Sequence, residues 1–344
     1  MNFKAWLNTL SASSHTLPIV ILYVTEGCNL RCCMCSYRKA RPDELSIIEI
    51  ERLACTLADY GLRHIVFSGG EPLLRRDFPA ICKIFSQYGV QETLLTNGLL
   101  LDKRLHEIRT FLTEIIVSLD GATAGTHDTI RGRISFEQLL AGIRSAVKSS
   151  PGPARVSIRT VVQKQNYREL AQLIALAKSL GVRRISFLAA DLLSDGFGRD
   201  GKGPPAHSDS ISLTAEEVLE FRAIVDAIVS TYRTEFRTGF ISESPDKLYH
   251  IVDYFGALIG RNPFPSNACN APMVSAVITS TGDLLPCYFL PRFGDARETN
   301  LEQTLNNDTI IDTRRKVRDY VLERCQTCVC TLRKSSVAAL LDRF

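Results

Sequence analysis

The sequence predicts an α/β fold: a partial (β/α)6 barrel of the TIM type, followed by a small C-terminal domain of a β-hairpin and a helix. Three observations predict it. Between residues 18 and 232 six apolar runs alternate with amphipathic helical runs, which implies parallel strands joined by right-handed crossovers. The chemistry-bearing residues of this repeat fall where strands end and helices have not begun, the active rim of a barrel. After residue 266 come a hairpin signal, a helix and a cysteine pair, on too little core to fold without metal. An open doubly wound sheet also satisfies the alternation, but a curved partial barrel fits the repetition better.

The elements follow in order. Residues 1–17 are an extension whose start reads as a short amphipathic helix. PIVILYV (18–24) is a buried strand, and the helix near 46–60 is introduced by Ser46 as a cap. HIVFSGG (64–70) is the second strand, with a helix over 77–88; TLLTNG (93–98) is the third, with a helix over 102–112. EIIVSLDG (114–121) precedes a helix at 135–148, and RVSIRTVV (155–162) precedes one at 169–181. RRISFLAA (183–190) is the sixth strand, and its helix is delayed to 214–232 by a polar stretch. The barrel thus occupies 18–235, a linker 236–265 and the second domain 266–344. Cys55 and Cys82 read as small buried hydrophobes on helix faces, and Thr96-Asn97-Gly98 as a turn with a left-handed glycine.

Composition narrows the function. A net charge of +4 over 344 residues gives no sign of a nucleic-acid binder. No apolar run reaches membrane-spanning length, and the N-terminus lacks the apolar core of a secretory signal. The expected compartment is the cytoplasm, where thiols stay reduced. The eleven cysteines are then not expected to pair as disulfides; they fall in two groups with none between 82 and 269, which points to two metal sites.

The first group lies in EGCNLRCCMCSYR (26–38). Cys28-x3-Cys32-x2-Cys35 offers three ligands, whereas structural zinc wants four and no histidine lies nearby. A four-iron cluster on three thiolates keeps one iron open, which is a catalytic arrangement. This spacing, with Ser68-Gly69-Gly70-Glu71-Pro72 at the next strand end, resembles the radical S-adenosylmethionine (SAM) superfamily over roughly residues 18–190. The resemblance makes Cys28, Cys32 and Cys35 the ligands of a [4Fe–4S] cluster and Cys33 a bystander. It assigns the backbone of Gly69 and Gly70 and the acid of Glu71 to the methionyl amino group of SAM. Two glycines there would let backbone approach a ligand with no Cβ in the way. Ser118 and Asp120 match a position that contacts ribose or carboxylate; Arg131 and Arg159 are candidates for the methionyl carboxylate. Met34 departs from the aromatic residue common before the third cysteine, although its sulfur can still pack on adenine.

The second group reads Cys269-x12-Gly282-x4-Cys287, then Cys325-x2-Cys328. Four thiols suit zinc as well as iron–sulfur. In combination with the first group, they resemble the twitch domain, a shortened SPASM domain with one auxiliary [4Fe–4S] cluster. Cys330 is left over and reads as no ligand; the alternative reading makes it a ligand in place of Cys328 or a hydrogen-atom donor. The spacing looks most like the twitch aminocyclitol dehydrogenases. That implies oxidation of a hydroxylated small metabolite such as an aminocyclitol, sugar or nucleoside in antibiotic biosynthesis, with flavodoxin or ferredoxin as electron donor. With Cys28 so near the start, no peptide-recognition domain is expected ahead of the first group. The alternatives are a peptide-modifying epimerase or crosslinking enzyme and, from another class, a zinc-binding scaffold. The Gly-, Asp- and Ser-rich loop 191–210 is either a mobile lid or a plain solvated connection.

Overall fold

Every residue of β1 (Ile19–Thr25) is buried, as its unbroken apolar sequence requires of a strand covered on both faces. Around it a computed structural model describes residues 3–149, 155–199, 205, 208–298, 300–330, 332 and 335. Five further parallel strands follow: β2 (His64–Gly69), β3 (Gln91–Thr96), β4 (Glu114–Ser118), β5 (Arg155–Val162) and β6 (Ile185–Ala189). Each pairs with its sequence neighbour, so the order steps in one direction, as in a partial barrel. Three more strands, β7 (Ser275–Ile278), β8 (Asp283–Leu285) and β9 (Gly294–Asp295), complete a nine-stranded sheet. β7 runs parallel to β1, with Ile19 opposite Ser275. The C-terminal hairpin therefore extends the barrel sheet, turning at Gly282 with φ 93°.

The helices start where their caps lie. Ser46 accepts from Glu49 N while the Glu49 side chain returns to the Ser46 backbone, a complete capping box for Ile47–Asp59. Thr214 and Glu217 do the same for Ala215–Thr231. The N-terminal helix Phe3–Leu10 is tied down by Asn8, whose Nδ2 donates to Met273 O at 2.9 Å, on the segment that follows Cys269.

Four places differ from the sequence expectation. A helix at Ala124–Arg131 precedes the one at Phe136–Lys148; a left-handed Gly132 (φ 66°) ends it, and it delivers Arg131 to the rim. The segment 236–265, read as a linker, holds the helix Pro245–Leu258, capped by Ser244 and packed on Ala215–Thr231. The single helix expected between the hairpin and the Cys325–Cys328 pair is broken into Leu301–Thr304 and Asp308–Arg318, because Asn307 caps a new start by accepting from Ile310 N. Cys82 is buried as expected, but Cys55 is exposed on the outer face of its helix. Of the loop 191–210, residues 200–204 and 206–207 lie outside the described residues. No helix among the described residues is long and apolar enough to cross a membrane.

Candidate functional site

The strand ends of the barrel open on a cavity of about 360 Å³. Cys28, Cys32, Cys35 and Met34 line one side of it, from the loop that leaves β1. Cys33 does not line it; its sulfur lies 3.6 Å from the Gln163 amide instead. The loop is held by its neighbours: Cys28 N donates to Arg38 O, Cys33 N to Ile130 O, and Ser36 N to Phe197 O at 2.9 Å. Phe197 adopts a left-handed φ of 62° to aim that carbonyl.

Gly69, Gly70, Ser118, Arg131 and Arg159 also face the cavity. The glycines are required for a different reason from the one their motif suggests. A Cβ on Gly69 would sit 2.2 Å from Thr25 O, and one on Gly70 2.2 Å from Gly27 O. Here backbone approaches backbone where β2 meets the start of the cysteine loop.

Glu71 and Asp120 are fully buried and do not line the cavity. The Glu71 carboxylate accepts from Leu73 N (3.0 Å), Thr96 Oγ1 (2.8 Å) and Asn97 N (2.7 Å), bracing the rim rather than facing into it. Burial pushes its pKa above the ordinary carboxylate value, against the pull of those hydrogen bonds. Asp120 accepts from Val161 N at 2.8 Å and pairs with Arg131 Nη2 at 2.6 Å. The other Arg131 arm then lies 3.7 Å from Cys32 Sγ. Asp120 thus orients a cation beside the first cysteine group from behind. Thr96 and Asn97, read only as a turn, also line the cavity, and Asn97 Nδ2 donates to Asn29 Oδ1 (2.7 Å) on the cysteine loop.

The aromatic part of the lining was not legible in the motifs. Tyr23, Tyr37, Phe197, Tyr288 and Phe289 form a run of ring contacts, with Tyr288 stacked between Tyr23 (6.2 Å) and Phe197 (6.3 Å). Glu243 and Lys247, from the segment read as a linker, complete this side. The apolar residues CYF around Cys287 were the one sequence hint.

Behind this wall Cys269, Cys287, Cys325, Cys328 and Cys330 line a second cavity whose other walls are mostly apolar. Cys330, Tyr288 and Phe289 border both cavities. Backbone N–H groups point at two of the sulfurs, Ala271 N at Cys269 and Cys330 N at Cys328, each at 3.4 Å. Burial pushes the Cys35 thiol up to about 11 and Cys287 up to about 12. Thiolates in so dry a setting call for strongly cationic partners, and soft sulfur donors of this number suit iron–sulfur clusters. The residues present fit such groups at both places.

An ion network joins the two sites. Asp191, buried at the end of β6, pairs with Arg199 through one oxygen and with Arg324 Nη2 at 2.7 Å through the other. Arg324 immediately precedes Cys325 and lies 4.9 Å over the Phe289 ring.

Fold and site together define a SAM-dependent radical enzyme with an added iron–sulfur domain. The family comparisons agree: residues 22–177 match the radical SAM superfamily, and residues 269–329 match SPASM, an iron–sulfur cluster-binding domain. The chain belongs to the radical SAM superfamily and carries a C-terminal SPASM-type domain. Its cofactors are SAM, a [4Fe–4S] cluster and auxiliary iron–sulfur, which removes the zinc scaffold as an alternative.

Among curated relatives, the Fe-coproporphyrin III synthase of Methanosarcina barkeri is 31% identical over 243 residues, covering 68% of this chain and 56% of that protein. This chain therefore spans just over half of that relative's length. The AdoMet-dependent heme synthase of the same organism is 27% identical over 332 residues, covering 94% and 91%. Among solved structures, Streptococcus suis SuiB bound to its precursor peptide SuiA superposes with a TM-score of 0.65 at 16% identity, over 93% of this chain and 72% of that one. At that identity the likeness concerns the fold alone. The likeness to aminocyclitol dehydrogenases drawn from cysteine spacing has no counterpart in these relatives.

Proposed function

We propose that Cys28, Cys32 and Cys35 hold the [4Fe–4S] cluster that takes SAM, and that Cys269, Cys287, Cys325 and Cys328 hold an auxiliary [4Fe–4S] cluster. The chain is then an oxidoreductase that dehydrogenates a hydroxylated small metabolite bound between them. When bound, these groups supply a 5'-deoxyadenosyl radical at one side of the cavity and a one-electron acceptor at the other. An external donor such as flavodoxin or ferredoxin provides the reducing electron.

The observation that carries this reading is a cavity lined both by the first three thiols and by Cys330, Tyr288 and Phe289, which also border the second thiol set. The chain's own residues bind and orient. The Gly69–Gly70 backbone, Ser118, Arg131 and Arg159 are the groups available to SAM, and Asp120 keeps Arg131 in place. The aromatic wall excludes water from the space between. The net reaction takes a hydrogen atom from the carbon of an alcohol, then the proton of its hydroxyl to solvent and one electron to the auxiliary cluster, and leaves a ketone.

The test is product mass beside 5'-deoxyadenosine yield. A product two hydrogens lighter, lost when Cys325 and Cys328 become Ala while deoxyadenosine still forms, supports the proposal. An isomeric product carrying solvent deuterium points to epimerisation, with Cys330 as hydrogen donor. A second reading is favoured by the heme synthase that aligns along 94% of this chain. It makes the substrate a tetrapyrrole, whose flat ring suits the Tyr288 wall and whose acid groups suit Arg159 and Lys247. Turnover of a tetrapyrrole and not of alcohols would select it. SuiB is bound to a precursor peptide in its complex with SuiA; a peptide substrate here would be selected by modification of a peptide alone.

A further inference from the structure

We propose that Arg199 is a positioning residue for the first cysteine group, and that Asp191 couples it to the auxiliary site. What the second thiol set holds then bears on how firmly Cys35 is held. The inference rests on the assignment of both cysteine groups as cluster ligands. Its first support lies beside Cys35. Ser36 N donates to Phe197 O at 2.9 Å, and Cys35 Sγ lies 3.7 Å from the same oxygen. That carbonyl is aimed by two left-handed residues in succession, Phe197 (φ 62°) and Gly198 (φ 76°). A phenylalanine keeps such a φ only where its surroundings impose it. A Cβ on Gly198 would lie 2.8 Å from the Tyr37 ring, so this backbone is pressed against the end of the cysteine loop.

Arg199 supplies that constraint. It is buried, and its guanidinium works as a fork with every arm engaged. Nε donates to Gly196 O at 2.8 Å and Nη1 to Asp191 O at 2.9 Å. Nη2 donates to Ser194 Oγ at 3.3 Å and to the Asp191 carboxylate. Residues 191–196 are thereby drawn into a closed turn, and Phe197 leaves it with its ring 5.7 Å under the same guanidinium. Without the fork nothing in this turn fixes the direction of the Phe197 carbonyl.

The same carboxylate reaches the other domain. Its second oxygen accepts from Arg324 Nη2 at 2.7 Å, and Arg324 adjoins Cys325 and lines the second cavity. One carboxylate between two guanidiniums leaves a positive charge in excess. Arg324 Nε is also buried, with no hydrogen-bond partner among the described residues. Both features call for an anionic group on the side of the second thiols, and a cluster on four thiolates is one. Such a group holds Arg324 in place. Arg324 then holds Asp191, Asp191 holds Arg199, and Arg199 fixes the carbonyl that meets the Cys35 end of the loop. Coupling travels through contiguous networks of this kind, here with a single shared member, Asp191.

The experiment follows the first cluster in the reconstituted, dithionite-reduced protein by the EPR signal that shifts when SAM is added. Its rate of loss after EDTA is added is compared in wild type, Arg199→Met, Cys325→Ala/Cys328→Ala, and all three substitutions together. Arg199→Met is expected to lose this signal at least tenfold faster than wild type, while the signal that ignores SAM decays as before. The cysteine double variant is expected to speed the loss to a similar extent, although neither cysteine belongs to the first loop. The combined protein should be no faster than the faster of the two, because both cut one chain of contacts. Effects that multiply would overturn the coupling, and a wild-type rate in either variant would overturn the proposal. Where a variant fails to fold, Arg199→Lys keeps the charge without the fork, and Arg324→Gln breaks the link with the second cysteines intact. Each should speed the loss at least threefold, and a wild-type rate in either would again overturn the proposal. A SAM-responsive signal that survives Cys35→Ala would instead overturn the ligand assignment on which the inference rests.

Discussion

Glu92 offers a test of the energetics that leaves the cavity untouched. It is the second residue of β3, at the end of the strand away from the rim, and it is fully buried. Among the described residues, neither carboxyl oxygen has a hydrogen-bond partner beyond the weak thiol donor of Cys82. Burial therefore raises its pKa from 4.5 to about 9. The sign follows from linkage. A carboxyl whose pKa is raised on folding binds its proton more tightly in the folded state, so its contribution to stability falls as pH rises from 4.5 towards 9. The slope is about 1.4 kcal/mol per pH unit, so the loss accumulated by pH 8 has a ceiling of about 5 kcal/mol. Glu92→Met removes the titrating group and keeps an unbranched side chain of similar length. Urea unfolding of both proteins at half-unit steps from pH 5 to 9 isolates the effect, because every other titration is common to the pair. The Met variant should gain steadily on the wild type as pH rises. Parallel curves across that range would refute the argument, and with it the reading of Glu92 as a buried acid kept neutral at physiological pH.

Three further outcomes are expected. Replacing Cys28, Cys32 or Cys35 by Ala should abolish deoxyadenosine formation, whereas Cys33→Ala should retain it, since Cys33 faces Gln163 and not the cavity; product chromatography decides. Glu71→Gln places an amide against three hydrogen-bond donors and should cost about 1.5–3 kcal/mol of stability. A fall in SAM affinity with no fall in melting temperature would instead mean that Glu71 meets the ligand and does not brace the rim. Arg324→Met leaves the buried Asp191 with one cation fewer, and breaking such a pair costs about 3–5 kcal/mol. The auxiliary cluster should also lose a neighbouring positive charge, so its midpoint potential in an EPR titration should move to lower values. An unchanged potential would limit Arg324 to a structural role.

The parts of this molecule that were legible in its sequence are the local ones. Six strands and their helices follow from periodicity, and capping boxes such as Ser46–Glu49 mark their starts. The two cysteine groups announce themselves by spacing. The second layer of the site is a matter of long-range pairing, which a linear reading cannot see. Asp120 and Glu71 look like strand-end ligands in sequence, yet the fold turns both inward, one to Arg131 and the other to the Thr96–Asn97 turn. Lys247 and Glu243 lie in a stretch whose helix breaks the strand–helix rhythm, so it was read as a linker.

The largest gap lies in the placement of the second domain. Its hairpin was readable, but not the edge on which it docks. β7 joins β1 in parallel with Ile19 opposite Ser275, and this one register carries much of the functional geometry. Cys28 follows the end of β1 by three residues, and Cys287 follows the end of β8 by two. Because β8 runs antiparallel to β7, the chain turns back after it, and the backbone around Tyr288 and Phe289 closes the wall between the cavities. Side chains alternate along a strand, so a slip of one residue between β7 and β1 would exchange the faces of the hairpin and turn Cys287 away from the other thiols. Ile21 and Val277, partners in this register and packed in one apolar cluster with Tyr23, are the contacts that oppose such a slip. The distance between the two cysteine groups is thus set by ordinary strand pairing, and the chemistry proposed for the cavity depends on it.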